Sequence, residues 1–420
     1  MMKQSTDSTK ERQFAFTTEC DADEFDAFVE NSENGSILQE TRWADIKTNW
    51  KSSRVAVREN GKICASALVL KRNLVAGLKF FYIPRGPILD YRDAELLRFF
   101  LINLKKWSRK CGAVVVKVDP LIRHSSVNAD GSEYADMNED IIAYLKDFGF
   151  RHKGFTMGFD QTVQPRTQAV VHSRDGGYKP AKKLNYYLKR ASKNEIKVRR
   201  MGIEGTEIFA LLESKTASRK NIALRDKDYF RTIMSVYGEN ANISLSYIQT
   251  DETLQKEYKK LEDLNQKLKN PQYKEAKIAE IHEQISSVEK GVHLLEDLRT
   301  RYGETVNIAA TLAIRSGRFS ELLYAGMDDE LGFFRSDTSW KDAIEWALES
   351  GCVYCNLGGV EGTLDDSLTQ YKKLYSPDFE SYIGEFDLPV NKPLYFVVDA
   401  LIPEFRKLNT VLAQRKKKHE

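Results

Sequence analysis

The side chains of this sequence best suited to chemistry are cations and carboxylates set beside aromatic rings or at the ends of predicted elements. Lys372 lies in Tyr371-Lys372-Lys373-Leu374-Tyr375, where flanking rings could strip water from an ammonium and let it act electrostatically on a reacting oxygen. A surface lysine snorkelling past its neighbours fits the same letters. Asp119 follows the β-branched run AVVVKV at 113–118 and precedes Pro120, at the carboxyl end of a predicted strand, where open α/β sheets place ligands. An ordinary Asp-Pro turn explains it equally well. Lys47 and Trp50 are three residues apart in a helix predicted to begin near Thr41. That spacing puts ammonium and indole on one face, suited to an anionic, partly apolar ligand; the competing reading is an exposed lysine beside a core tryptophan. Arg219 and Arg225 bracket a loop before a helix opening at Asp226, a position suited to phosphate or carboxylate. Arg85, in Tyr82-Ile83-Pro84-Arg85-Gly86-Pro87, reads as the outward-reaching residue of a rigid turn.

Familiar catalytic signatures are missing. The sequence has no G-x-x-x-x-G-K-[ST], G-x-G-x-x-G, H-E-x-x-H or G-x-S-x-G. Cys352-Val-Tyr-Cys355 has the spacing of a redox or metal pair but no second pair, and strand alternation would put the two thiols on opposite faces or one in the core. The six histidines, at 124, 152, 172, 282, 293 and 419, lack ligand spacing. A reaction without metal or cofactor is the expectation.

The elements that must hold these residues alternate between short apolar runs and amphipathic stretches, an α/β pattern. Residues 23–29 and 95–107 read as helices, and 54–58, 63–70, 80–83 and 113–118 as strands. A helix at 141–148 stops at Gly149, and Gly154 to Asp160 reads as a strand. The polar, turn-rich stretch from Val163 to Pro180 suggests a domain boundary near 165. Beyond it come a basic helix, KKLNYYLKRAS at 182–192, helices at 204–219, 227–237 and 339–349, and strands at 243–249, 305–314, 320–325 and 352–357. The two halves share a helix-and-strand grammar.

Residues 251–301 differ in character. Ile278, Ile281, Ile285, Val288, Val292 and Leu295 step by threes and fours, the seam of a coiled coil. Leu254, Tyr258, Leu261, Leu264 and Leu268 offer the facing arm, with the bend at Asn270-Pro271. An exposed antiparallel hairpin is expected.

The 420 residues carry 64 Lys+Arg against 61 Asp+Glu, a formal charge of +3, with 19 Tyr, 21 Phe and only 10 Pro. This composition excludes a disordered or collagen-like chain and leaves a nucleic-acid partner open, since local clustering of cations decides that. Five cysteines, an odd number scattered widely, make a poor disulfide framework and suit a reducing cytoplasm. The polar N-terminus lacks an apolar secretion segment, and no run of about 18 apolar residues could span a bilayer.

Taken in order, ILQETRWADIKTNWK at 37–51, FYIPRGPILDY at 81–91, VKVDP at 116–120, QPR at 164–166, ALRDKDYF at 223–230, YAGMDDE at 324–330, NLGGVEG at 356–362, YKKLY at 371–375 and GEFDLP at 384–389 resemble the Fem family of peptidoglycan-bridge aminoacyltransferases. The resemblance is strongest to its MurM branch. It implies two GNAT-like α/β domains, at 13–165 plus 391–420 and at 166–250 plus 302–390, with a coiled-coil arm at 251–301. It implies transfer of an amino acid, Ala or Ser first and Gly as a further option, from aminoacyl-tRNA to the stem-peptide lysine amine of lipid II or UDP-MurNAc-pentapeptide.

By the same resemblance Lys372 matches the family's catalytic lysine, although its F-K-x-x-F pattern reads Y-K-K-L-Y here, and Asp119 matches a proposed base. Lys47, Trp50 and Arg225 match positions that grip the muramyl-peptide precursor. No cofactor is implied, aminoacyl-tRNA being a co-substrate. Lys182, Lys183, Lys189, Arg190 and Lys193 offer a patch for tRNA, and the run from Arg415 to Lys418 an attraction to anionic lipid at the inner membrane leaflet. Two other readings compete. An acetyl-CoA-dependent acetyltransferase would need an [RQ]-x-x-G-x-[GA] turn, and Arg109-Lys-Cys-Gly112-Ala-Val114 fails at its last position. A non-enzymatic RNA- or partner-binding protein would use the arm and have no need of Lys372.

Overall fold

The computed structural model describes residues 12–74, 77–135, 137–159, 162–220, 225–397 and 399–400, with backbone alone at 219 and 220. The basic run 415–418 lies outside them, as do the loop residues 221–224 and the side chain of Arg219. In chain order the first half comprises β1 (Phe14–Thr17), α1 (Ala22–Asn31), α2 (Thr41–Ile46), β2 (Lys51–Glu59), β3 (Lys62–Asn73), β4 (Lys79–Ile83), β5 (Ile88–Leu89), α3 (Ala94–Lys110), β6 (Ala113–Val118), β7 (Arg123–Val127), β8 (Glu133–Tyr134), α4 (Glu139–Phe148) and β9 (Arg151–His152). Then follow β10 (Thr167–His172), α5 (Lys182–Lys193), β11 (Lys197–Met201), α6 (Thr206–Lys220), α7 (Lys227–Tyr237), β12 (Ala241–Gln249), α8 (Thr250–Leu268), α9 (Glu275–Tyr302), β13 (Thr305–Ser316), β14 (Phe319–Met327), α10 (Asp337–Glu349), β15 (Tyr354–Val360), α11 (Ser367–Lys372), β16 (Asp378–Tyr382) and β17 (Phe386–Pro389).

Two mixed sheets result. The first has the order β1-β2-β3-β4-β6-β17-β9, with β5 paired to β3, and the second β11-β12-β13-β14-β15-β10-β16-β7-β8. Each is antiparallel apart from one parallel pair, β4 with β6 and β14 with β15. Each parallel pair is joined by a helix, α3 in one case and α10 in the other, since a parallel return needs a crossover. This repeated unit is the shared grammar of the two halves.

The sheets do not follow the division at 165 and 390. The hairpin β7–β8 belongs to the second sheet, and β17 is inserted between β6 and β9 of the first. The chain therefore crosses between the sheets four times, and two of the crossings, at 119–122 and 383–385, are bonded side by side through Ile383 N–H and the Ile122 carbonyl at 2.8 Å. A shared core also joins the halves: Phe25, Val29, Trp43 and Ile46 pack with Phe209, Phe230, Ile233, Tyr237, Leu312 and Phe319. With apolar burial contributing about 25 cal/mol per Å², the halves are held as one body rather than hinged across a wet interface.

Two further expectations fail. Residues 153–159 form no strand; only Arg151 and His152 pair with β17, after which Gly154 turns at a φ of 86°. Phe155, Met157 and Phe159 produce the strand-like alternation yet remain 40–44% exposed. Conversely the presumed linker contains β10, buried over five of six residues and central to the second sheet. The arm forms as expected. Leu254 and Leu264 of α8 are buried with Ile281, Val288, Val292, Leu295 and Leu298 of α9, and the foot of the hairpin packs on Ile248, Val306 and Ile308 of the second sheet.

Candidate active site

Asp119 sits where the chain first leaves one sheet for the other, and its carboxylate is buried. Its Oδ1 accepts the Arg85 backbone N–H at 2.8 Å, its Oδ2 accepts the Tyr82 hydroxyl at 3.1 Å, and the Arg85 guanidinium lies 3.7 Å away. Loss of water pushes this carboxyl up to about 6, against the pull of Arg85. Arg85 does not reach outward. It is 3% exposed, at a φ of 54°, and donates through Nη2 to the Pro165 carbonyl at 2.9 Å. Buried Gln39 fixes the turn, accepting from Leu68 N–H at 2.9 Å and donating to the Pro84 carbonyl at 2.6 Å. A Cβ at Gly86 would stand 2.6 Å from the Gln39 carboxamide carbon, so the turn requires glycine there.

Lys372 ends α11 and is also buried. The hydroxyls of Tyr371 and Tyr375 bond to each other at 2.8 Å, and Tyr375 stacks on Trp340 of α10, clamping the helix in place. The Lys372 ammonium donates to the Gly359 carbonyl at 2.8 Å, at the end of β15. Gly358 is at a φ of 84°, and a Cβ there would stand 3.6 Å from Nζ. A Cβ at Gly359 would come within 2.4 Å of the Pro165 ring. Pro165 thus touches both ends of the site: its ring meets the glycine that binds Lys372, and its carbonyl holds the arginine paired with Asp119.

Around this seam lies a narrow slot lined by Arg85, Asp119, Thr162, Arg166, Tyr382 and Glu385. Glu385 is tied to buried Lys117 at 3.0 Å, and Asp387 to the same ammonium at 2.8 Å. Glu321 of β14, hydrogen-bonded to Asn356, is pushed up to about 7 by desolvation while Arg85 opposes the shift. A carboxylate, a guanidinium, an ammonium and a titratable glutamate therefore meet where the two sheets are stitched together.

The predicted precursor grip is partly assembled. Helix α2 ends at Ile46, so Lys47 and Trp50 do not share a helical face; they bracket a turn closed by Trp50 N–H to the Lys47 carbonyl at 2.8 Å. Trp50 packs toward Phe80, with Arg72 over its ring. Lys47 turns the other way, 4.4 Å from the Trp43 ring centroid, and donates to the Tyr229 hydroxyl at 3.2 Å. The Arg225 guanidinium lies 5.0 Å from the Tyr229 ring, and the Tyr229 hydroxyl meets that of Tyr324 at 3.1 Å. Desolvation, then the charge of Arg225, lowers Lys47 to about 8. Lys47, Arg225, Tyr229 and Tyr324 form a cationic, hydroxyl-bearing cluster that joins the halves, from which Trp50 stands apart.

Tyr229, Tyr324, Gln39, Glu321 and Arg166 carry no individual signal in the sequence. Tyr229 and Tyr324 lie within the quoted motifs but have no spacing that links them. Lys182, Lys183, Lys189, Arg190 and Lys193 are exposed on α5. Cys352 and Cys355 are both buried and Cys355 meets Ser320; desolvation pushes both thiols up, the opposite of a reactive pair. Among the described residues no helix is long and apolar enough to cross a membrane.

Comparison with known proteins adds the identity. The model of the FemAB family matches residues 20–402. Aminoacyltransferase FemA of Staphylococcus epidermidis is 27% identical over 414 residues, spanning 91% of this chain and 98% of that protein. The Staphylococcus aureus enzyme of the same name is 27% identical over 412 residues, spanning 91% and 97%. The crystal structure of FemX superposes with a TM-score of 0.77 at 26% identity, covering 91% of this chain and 99% of that one. With its two mixed sheets and inserted helical arm, this chain is an aminoacyltransferase and belongs to the FemAB family.

Proposed function

We propose that the enzyme transfers an amino acid, Ala or Ser first and Gly as the further option, from aminoacyl-tRNA to the stem-peptide lysine amine of lipid II or UDP-MurNAc-pentapeptide, building the interpeptide bridge as the MurM branch does. The observation that carries this reading is that Pro165 bridges the two residues, its carbonyl accepting from the arginine paired with Asp119 and its ring lying against the glycine that accepts from Lys372. The ester of aminoacyl-tRNA is already activated, so the reaction requires neither a metal nor a cofactor. The amine attacks the ester carbonyl, an amide bond forms, and the C–O bond to the ribose breaks. The amine's proton passes to Asp119, whose elevated affinity for protons near neutrality suits a base, or to a group of the substrate. Lys372 stabilises the oxyanion or the departing ribose oxygen. Lys47 and Arg225 hold phosphate or carboxylate oxygens of the precursor, while Trp50, packed toward Phe80, offers a separate ring for its apolar part. The exposed cations of α5 receive the tRNA backbone. The enzyme works at the cytoplasmic face of the membrane, where a lipid-linked acceptor is presented.

The test is transfer of radiolabelled Ala, Ser or Gly from charged tRNA to each acceptor, with wild type and Lys372→Ala in parallel. Product with wild type alone is expected and names the donor. Failure of all three donors with lysine- and diaminopimelate-containing acceptors would remove this reading.

A further inference from the structure

We propose that Tyr186 is a stacking platform for an unpaired nucleobase in the single-stranded 3′ end of the aminoacyl-tRNA, which lies along α5 with its ester at Lys372 and its body toward the arm. The inference rests on the tRNA-dependent reading above and adds a place and a direction to it.

Helix α5 has one side in the protein and one side in water. Leu184 and Ala191 are buried, and Tyr187 is covered by the Arg335 guanidinium, 3.9 Å from its ring centroid. The other side presents Lys182, Lys183, Tyr186, Lys189, Arg190 and Lys193, all exposed. Residues 182–193 include no Asp or Glu, and among the described residues none of the five cations forms an ion pair. Tyr186 stands in the middle of this face and is 63% exposed. It meets Tyr187 at 64° with centroids 5.5 Å apart, an edge contact that leaves ring surface open to another planar group. Cations spaced along a helix with one open aromatic face are the two components of sequence-tolerant single-strand binding: phosphates pair with the cations, and any base stacks on the ring.

The ends of α5 supply the direction. At its start the Ala181 N–H donates to the Leu374 carbonyl at 3.0 Å, two residues beyond Lys372. At its finish Lys193 and Asn194 line a cleft of about 240 Å³ at the foot of the arm, with Lys260 and Gly291 on the facing helices. Twelve residues at 1.5 Å each separate these ends by about 18 Å. A strand that delivers its terminal ester to Lys372 therefore passes Tyr186 on its way toward the arm.

The experiment uses the full chain, saturating acceptor and varied aminoacyl-tRNA, with Tyr186→Ala, Tyr186→Phe and Tyr186→Trp. Tyr186→Ala should raise the KM for aminoacyl-tRNA on the order of tenfold, leaving kcat and the KM for the peptide acceptor unchanged, and Phe and Trp should restore it. An unchanged KM in Tyr186→Ala, or a loss that Phe and Trp fail to rescue, overturns the inference while wild-type transfer keeps the function. Direct binding of uncharged tRNA gives an independent reading: wild type should prefer an intact 3′ end to one trimmed of its unpaired nucleotides, and Tyr186→Ala should lose that preference. Equal wild-type affinity for both overturns the inference even if no transfer is observed, whereas absent transfer by wild type counts against the function.

Discussion

The two crossovers of the molecule share a topology and end differently. In the first, β4 and β6 stay paired from Lys79 and Ala113 to Ile83 and Val118, and the closed end buries Asp119 beneath the Arg85 turn. In the second, β14 and β15 pair over three residues, from Phe319 and Tyr354 to Glu321 and Asn356, and then part. Beyond the parting, β15 runs on to Gly358 and Gly359, whose backbone receives Lys372. A closed strand end can hold a carboxylate out of water, and an open one leaves backbone free to meet a side chain from elsewhere. The repeated unit thus supplies two unlike halves of one site, and Pro165 joins them.

The predictions separate those halves. Removing the ammonium at the open end should have the largest effect: Lys372→Ala should lower kcat about 100- to 1,000-fold, the range for loss of a positioned oxyanion donor, with precursor affinity retained. Equal loss of binding would make Lys372 part of the precursor grip instead. At the closed end, Asp119→Asn should cost about 100-fold in kcat. Because Asp119 acts ionised and titrates near 6, the wild-type rate should fall as pH drops through about 6, and this acidic limb should vanish in the variant.

Gly359→Ala tests the junction itself. Its Cβ would press on Pro165, so overpacking of about 1–3 kcal/mol should appear as a lower Tm together with slower turnover. The smallest effect is expected away from the seam. Lys47 loses its proton as pH rises above about 8, so affinity for an anionic precursor should weaken there in wild type. Lys47→Ala should abolish that alkaline limb, and Arg225→Ala should move it to higher pH while weakening binding about tenfold, as isothermal titration would read.

Elements with a strong local signature were legible in the sequence. The strand Ala113–Val118 and the helix Lys227–Tyr237 lie where their runs place them, and the arm follows from its three-four stepping. The strands β1, β5, β7, β8, β9, β10, β11, β16 and β17 escaped, because they are short and all but β8 have partners remote in sequence; β10 and β17 are buried on both faces and carry no alternation. Site residues divide the same way. Asp119 and Lys372 stood out by position and motif, but Arg85 read as an outward residue because its partners, 34 and 80 positions away, are invisible locally. Trp50 was paired with Lys47 by helical spacing, and the helix ends one residue before that spacing begins.

By itself the sequence determined the α/β class, the inserted hairpin, the basic face of α5 and the identity of the residues able to do chemistry, since each depends on patterns within about one element's length. Only the tertiary structure decided that the sheets exchange strands, that Arg85 turns inward, and that Pro165 lies between Asp119 and Lys372. Those outcomes depend on pairings between residues tens to hundreds of positions apart, where closure of the chain and burial of its polar groups, rather than local propensity, select the arrangement.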